Sequence, residues 1–371
     1  MGVRAAQEIG AAVETVSVAA FRIPTDAPES DGTFAWDSTT IVVVELEAGG
    51  ERGLGYTYGP KAAGALVDEL LAGVVRGRDA LDVRAAWVEM GAALRNAGRP
   101  GVGSMALAAV DIALWDLKAR LREQPLAALL DAVRNEVPVY GSGGFTSYSD
   151  QRLAEQLGGW VAEGIPRVKM KIGRDARSDP ARLDAARSAI GDKAELFVDA
   201  NGAFEPKEAL DWAHRLRREW GVSWFEEPVS SADFVGLRVV REEGPSDLDV
   251  AAGEYGYVLA DFRNLLEAGA VDCLQADVTR CGGITGLLQV ADLAGGSGID
   301  LSGHCAPAVS VPALCAVERL RHLEWFHDHV RVETLLFDGV PELVGGRACP
   351  NLSRPGHGLE LRRADAERYA A

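Results

Sequence analysis

The chain is poor in positive charge. Lys and Arg number 38 against 55 Asp and Glu, a formal charge of −17, and this argues against nucleic acid or an anionic membrane surface as a partner. No stretch approaches the ~18 uncharged apolar residues of a membrane span. The opening MGVRAAQEIG has no apolar core of the kind a signal peptide needs. Cysteine is sparse: Cys273, Cys281, Cys305, Cys315 and Cys349 are odd in number and form no CxxC pair, which fits reduced thiols in a cytoplasm better than a disulfide or zinc framework. Low-complexity tracts are missing as well. With 47% hydrophobic and 25% charged residues in 371, the composition is that of an ordinary globular protein.

The first third of the sequence reads as strands followed by helices. Val13 to Ile23, Thr39 to Glu47 and Leu54 to Tyr58 are rich in β-branched residues. The polar, Pro- and Gly-bearing segment Pro24 to Asp37 is expected to be a loop. Helical periods follow over Lys61–Val75, Asp82–Ala97 and Ser104–Leu121. From Val137 the rhythm changes to short apolar strands alternating with helical stretches, which implies parallel βαβ units. Each strand closes on a titratable residue: Lys171, Asp199, Glu226, Glu254, Asp277, His304 and Glu324 follow one another at intervals of 28, 27, 28, 23, 27 and 20 residues. One strand, one helix and two loops need about that length. The expectation is an α/β fold: a modified TIM barrel, (β/α)7β, over 131–330, with an α+β capping domain built from 1–130 and a C-terminal segment, 331–371, that returns to it.

The C-terminal ends of barrel strands converge on one face, where active sites form. Asp199, Glu226 and Glu254 would there repel one another and raise one another's pKa unless a divalent cation relieved them. An all-oxygen set selects Mg²⁺, with Mn²⁺ also possible. Asn201 and Glu227 stand beside two of these ligands, where they either support the ion from outside its coordination sphere or only make strand-end turns. Lys169 and Lys171 share one strand face. Crowded next to each other and to a metal, their pKa values are expected to fall towards neutrality, which makes a usable base. Asp277 and His304 come from neighbouring strands opposite the lysines, and a carboxylate bonded to an imidazole fixes its tautomer and raises its basicity. Glu324 is expected to be a protonated hydrogen-bond donor near a developing oxyanion, or else the salt-bridge partner of Arg321 or another base. His214, His322, His327, His329 and His357 read as structural.

Taken in order, VKMKIG, VDANG, WFEEP, the Gly-Glu of AAGE, QADVTRCGG and SGHCAP make the sequence resemble the enolase superfamily, and its mandelate racemase subgroup in particular, over essentially the whole chain. The resemblance implies Mg²⁺ on Asp199, Glu226 and Glu254, one base at Lys171, a second at His304 with Asp277, and an electrophilic role for Glu324. Members resembling muconate cycloisomerase or dipeptide epimerase carry a Lys where Asp277 stands, so those activities, and a methylaspartate-ammonia-lyase-like role, are disfavoured. Arg280 cannot serve as a neutral base in their place. The implied chemistry is removal of the proton α to a small-molecule carboxylate, through an enediolate. Returning the proton from the opposite face racemises a 2-hydroxy acid; expelling a 3-hydroxyl gives a 2-keto-3-deoxy acid. Thr25, Asp26, Glu29, Ser30, Asp31 and Thr33, in the expected capping loop, favour a hydroxyl-rich substrate and so an acid-sugar dehydratase. Phe21, Phe34 and Trp36 would suit a more apolar one. A non-catalytic metal-binding barrel is a third reading, and a homo-oligomer is expected by analogy.

Overall fold

The structure, a computed structural model, describes residues 10–371; segment 1–9, and with it nearly all of the stretch read as lacking a signal peptide, lies outside the described residues. The N-terminal sheet is antiparallel: β1 (Thr15–Ser30), β2 (Ala35–Ala48) and β3 (Glu51–Tyr58). In β2 the run Ile41–Val44 is buried on both faces. Val42, Val44 and Leu46 enter a core with the helices Val83–Ala93 and Val102–Leu121, while Ile41 and Val43 join the core continuous with the barrel. The helix Val102–Leu121 lies directly on β3. A Cβ added at Gly55 would sit 2.2 Å from the Ala109 carbonyl oxygen, so glycine permits the contact.

The expected loop over Pro24 to Asp37 is instead mostly strand. β1 and β2 run on as a hairpin whose register slips between Pro24 and Glu29, and only residues around Asp31–Thr33 turn. Its two prolines are tolerated because β1 is an edge strand. The helical stretch over 61–75 is also not uniform, since Val67–Leu71 is a π-helical turn.

Eight parallel strands close into a barrel: β4 (Val137–Gly143), β5 (Arg167–Lys171), β6 (Glu195–Asp199), β7 (Val222–Glu226), β8 (Asp249–Ala252), β9 (Cys273–Ala276), β10 (Asp300–Gly303) and β11 (Leu320–Phe326), with β11 pairing back to β4. A helix joins each strand to the next, from Asp150–Ala162 to Pro307–Leu314. Inside, Tyr140, Phe197, Trp224, Ala251 and Cys273 form a buried plug, with Phe197 stacked on Trp224 at 5.4 Å. The plug fills the barrel below its mouth, so the reactive groups rest on a packed floor.

The region after Arg331 is less irregular than its composition reads, because the helix His327–Leu336 runs through it. Beyond it, Arg347–Cys349 pairs with the start of β4. His357 bonds the Leu54 carbonyl at 2.7 Å, and Arg363 pairs with Glu45 at 2.6 Å. Two buried aspartates of one cap helix make further ties: Asp111 accepts from Thr285 of the barrel, and Asp116 accepts from Leu54 N of the cap sheet and His357 N of the C-terminal segment. Among the described residues no helix is long and apolar enough to cross a membrane.

Candidate active site

Strand register assembles the mouth. Lys171, Asp199 and Glu226 are partners across β5, β6 and β7, at the last residue of each. Glu254, Asp277 and His304 stand just beyond the ends of β8, β9 and β10. Glu324 differs: it lies within β11 rather than closing it. One carboxylate oxygen from each of Asp199, Glu226 and Glu254 falls within 4.8 Å of the others, and all three residues are buried.

Each of these carboxylates also meets a cationic side chain. Lys171 Nζ lies 2.5 Å from Asp199, Lys169 Nζ 2.6 Å from Glu226, and His304 Nε2 3.1 Å from Glu254. Pairing is incomplete, however. Asp199, Glu226, Glu227, Glu254, Asp277 and Glu324 are buried together, and the permanent charges facing them are Lys169, Lys171 and Arg280. A buried surplus of negative charge on hard oxygen donors suits a dication. Asn201 Oδ1 and Glu227 Oε1 have no hydrogen-bond partner in the protein, although both are buried. The donor set and these two orphaned oxygens fit a hydrated divalent ion.

The charges of the protein act on its titrations in ways the sequence did not foretell. Burial opposes the Lys171 ammonium, but Asp199 and other carboxylates outweigh it, and the pKa is raised. Lys169 behaves alike, held by Glu226 and Glu324. Carboxylates around the pair outnumber it and hold its protons on; the expected fall towards neutrality includes a dication on those same carboxylates, whose charge would offset them. Glu226 is pushed up to about 8 by burial and by Asp199. Burial and Glu254 raise Glu227 far above the carboxylate range. Burial acts upward on Glu254 too, yet His304 and Arg280 hold it low. Glu324 is no protonated donor among these groups: burial favours the acid, but Lys169 at 2.8 Å and His304 at 3.3 Å keep it well below its ordinary value. Arg321 is not its partner and pairs instead with Asp249 and Asp300.

His304 Nδ1 lies 2.9 Å from Asp277 Oδ2, and Asp277 Oδ1 accepts from Thr279 N and Oγ1, both at 2.7 Å. The imidazole therefore presents Nε2 to the mouth. Burial opposes its protonation, but the Cys305, Glu324 and Glu254 charges prevail and its pKa is raised. Backbone strain gathers here. Asn201, Glu227, Cys305 and Ala306 adopt positive φ angles of 46°, 38°, 51° and 45° without being glycine, as happens where function dictates conformation. Cys305 is counted in the sequence only as one of five thiols and not as part of the site. Its Sγ lies 3.2 Å from Glu324 and 3.5 Å from His304 Nε2, and only its place next to His304 could have signalled it. His329, read as structural, lines the mouth stacked on Tyr58, and burial pushes it down to about 4.

The mouth opens into a cavity of about 600 Å³ beneath the β1–β2 hairpin. Of the six polar lid residues expected to face the substrate, only Asp31 lines it; Thr25, Asp26, Glu29, Ser30 and Thr33 do not. Several of these seat the hairpin instead. Ser30 Oγ meets Thr146 Oγ1 at 2.6 Å, Thr33 Oγ1 reaches the Asn201 carbonyl at 3.3 Å, and Trp36 Nε1 donates to Glu29 at 2.7 Å. Gly32 docks the tip on the barrel, where an added Cβ would lie 2.2 Å from the Ala200 oxygen and 2.7 Å from that of Ile172. The lining is instead Phe34, Trp36, Ser38, Thr39, Thr40 and Tyr58 from the cap, facing Tyr255 and Phe326 from the barrel. Its basic members are Lys171, Arg280, His304 and His329.

Known proteins match this architecture. Residues 152–366 match the family described as enolase C-terminal domain-like, and residues 13–131 match the mandelate racemase / muconate lactonizing enzyme N-terminal domain. The 3,6-anhydro-alpha-L-galactonate cycloisomerase of Streptomyces coelicolor is 34% identical over 94% of this chain and 97% of its own length. The L-talarate/galactarate dehydratase of Salmonella typhimurium is 30% identical over 91% of this chain and 87% of its own. Among solved structures, a mandelate racemase/muconate lactonizing enzyme-like protein from Rubrobacter xylanophilus shares 60% identity with a TM-score of 0.95, covering 97% of this chain and all (100%) of that one. An enolase from Bradyrhizobium, complexed with magnesium and mandelic acid, superposes with a TM-score of 0.89 at 25% identity over 98% of this chain and 100% of its own. The chain is an enzyme of the enolase superfamily and belongs to its mandelate racemase subgroup.

Proposed function

We propose that the protein removes the proton α to the carboxylate of an acid sugar and expels the 3-hydroxyl, giving a 2-keto-3-deoxy acid. The observation that carries this is the bracketing of the carboxylate trio: Lys171 touches Asp199 on one flank, and His304, backed by Asp277, touches Glu254 on the other. Asp199, Glu226 and Glu254 would hold Mg²⁺, which supplies positive charge for the second negative charge developing on the substrate carboxylate. An ion on the trio would offset the carboxylate charges that hold protons on Lys171 and His304, so that one of the two can take the α-proton while the opposite group, still protonated, gives its proton to the departing hydroxyl. Asp277 keeps the imidazole in one tautomer. Lys169 and Ser142, at 2.8 and 2.6 Å, fix Glu324. Glu324 can donate a hydrogen bond only if a proton arrives with the substrate, since Lys169 and His304 otherwise keep it ionised. Asn201 and Glu227 would carry the waters of the ion.

The distal end of the substrate is best uncharged. Of the lining cations, Lys171 serves Asp199, Arg280 lies 3.5 Å from Glu254 and 3.6 Å from Asp277, and His329 is held neutral. None is left for a second carboxylate, and Asp31 would repel one, so a monoacid sugar fits better than a diacid. Five unpaired thiols suit a reducing, cytoplasmic setting.

A panel of mono- and diacid sugars with Mg²⁺ in deuterium oxide tests the reading. The expected result is a 2-keto acid, caught by semicarbazide, from a monoacid; absence of both keto product and α-deuteration across the panel would reject it. The aromatic lining of Phe34, Trp36, Tyr58 and Phe326 favours a second reading, racemisation of a bulkier 2-hydroxy acid, like the mandelic acid bound by the Bradyrhizobium relative. That reading requires α-deuteration with inversion and no keto product.

A further inference from the structure

We propose that His304, Cys305 and Glu324 form a second cation site, selective for a thiophilic dication such as Zn²⁺, beside the oxygen-only trio. Nε2 of His304, Sγ of Cys305 and a carboxylate oxygen of Glu324 lie close enough together to share an ion, and all three residues are buried. Their separations are 3.5 Å between sulfur and nitrogen, 3.2 Å between sulfur and oxygen, and 3.3 Å between nitrogen and oxygen. A tetrahedral Zn²⁺ with ordinary bond lengths needs edges of roughly 3.5, 3.5 and 3.3 Å. An octahedral Mg²⁺ needs edges of only about 2.9 Å and avoids sulfur. The triangle therefore discriminates by size as well as by softness.

The outer faces of the three ligands are already satisfied. Asp277 holds His304 Nδ1 at 2.9 Å, which aims Nε2 inward in a carboxylate–histidine pair of the kind that supports zinc. Ser142 and Lys169 take Glu324 Oε1 and leave Oε2 towards the sulfur. The backbone of Cys305, at φ 51°, turns the thiol into the cluster rather than away from it. All three residues line the mouth cavity, so an ion can enter and a fourth position stays open to water or a ligand oxygen. Binding exchanges the Cys305 S–H bond and the His304 Nε2–H bond for bonds to the metal and releases two protons to solvent. The site then holds one dication against one thiolate and one carboxylate, with the imidazole neutral. Occupancy also takes the Nε2 lone pair of His304. That functional consequence, inhibition of proton transfer on the His304 flank, rests on the proposed function; the binding itself does not.

Co²⁺ titrated into protein saturated with Mg²⁺ tests the site. The expected result is one Co²⁺ per chain, with a thiolate-to-cobalt charge-transfer band and the intense visible bands of a tetrahedral ion, all erased by one equivalent of Zn²⁺. Cys305→Ser should lose the charge-transfer band, while Cys349→Ser keeps it. A spectrum without that band, or a band surviving in Cys305→Ser, overturns the proposal. Should Cys305→Ser not fold, X-ray absorption on the zinc-loaded wild type decides: one sulfur at about 2.3 Å supports the site, and a shell of oxygen and nitrogen alone overturns it. If the wild type turns over substrate, Cys305→Ser should need at least ~10-fold more Zn²⁺ for half-inhibition. An enzyme inert to every acid tried would count against the proposed function and leave the cobalt result standing on its own.

Discussion

The barrel mouth and the hairpin above it hold their side chains by different means. In the mouth, hydrogen-bond register decides which groups meet: Lys171, Asp199 and Glu226 are neighbours because the strands that carry them pair at those residues. In the hairpin, side chains set the backbone: Ser30, Asp31 and Thr33 tie the turn to Thr146 and Asn201, and Trp36 is tethered to Glu29. Reactive groups placed by register cannot shift without breaking a sheet. A lid placed by side chains can be altered one residue at a time. Chemistry should therefore follow the first region and substrate preference the second.

Five substitutions can break or sharpen that contrast. The largest effect belongs to Asp199→Asn, which should weaken Mg²⁺ binding by more than the ~100-fold lost with an outer partner of a metal ligand; calorimetric titration with Mg²⁺ checks it. Next come the two flanks. Lys171→Ala and His304→Asn should each slow α-proton exchange by ~10²–10⁴-fold, one for substrates whose proton faces the lysine and the other for the opposite configuration, as followed by NMR in deuterium oxide. Equal losses for both configurations would remove the two-flank assignment. Trp36→Ala should raise KM about 10-fold, a change of ~1.4 kcal/mol, with a smaller change in kcat. A fall in kcat of the size seen for the flanks would erase the distinction between mouth and lid.

The smallest effect is a pH dependence at the lid. Glu29 is pushed up to about 8 by burial and by Asp328. A carboxyl with a raised pKa in the folded state gives its full stabilisation below its ordinary 4.5 and has lost it once the pH passes about 8. Glu29→Gln should therefore raise Tm by ~2 °C at pH 9 and leave it unchanged at pH 4, as thermal melts at the two pH values will show.

Much of the mouth was legible because a barrel repeats. A titratable residue every 27 or so positions marks strand ends whatever the loops do, and it found Lys171, Asp199 and Glu226 at their strand termini. Glu324 was found by the same count but sits inside its strand, since β11 continues to Phe326. What escaped lacks a period. Pro24 to Ser30 carries loop-like residues, and its strand exists because β2 offers an edge to pair with. Cys305 is an isolated residue whose role depends on a positive φ that no composition announces. The direction of the lysine titrations depends on carboxylates that the fold gathers from four different strands, Asp199, Glu226, Glu254 and Glu324, a sum that no local window contains.

The contact at Gly32 gives the lid a fixed footing and a free span. Because the tip of the hairpin lies on the carbonyls of Ile172 and Ala200, immediately after Lys171 and Asp199, a single methyl group there would act as a doorstop and prop the entrance open without touching any reacting atom. Divergence in such an enzyme has room along Phe34, Trp36 and Thr39, downstream of the hinge, and almost none at the tip. New substrates would be reached by redecorating the ceiling while its anchor bolt stays where it is.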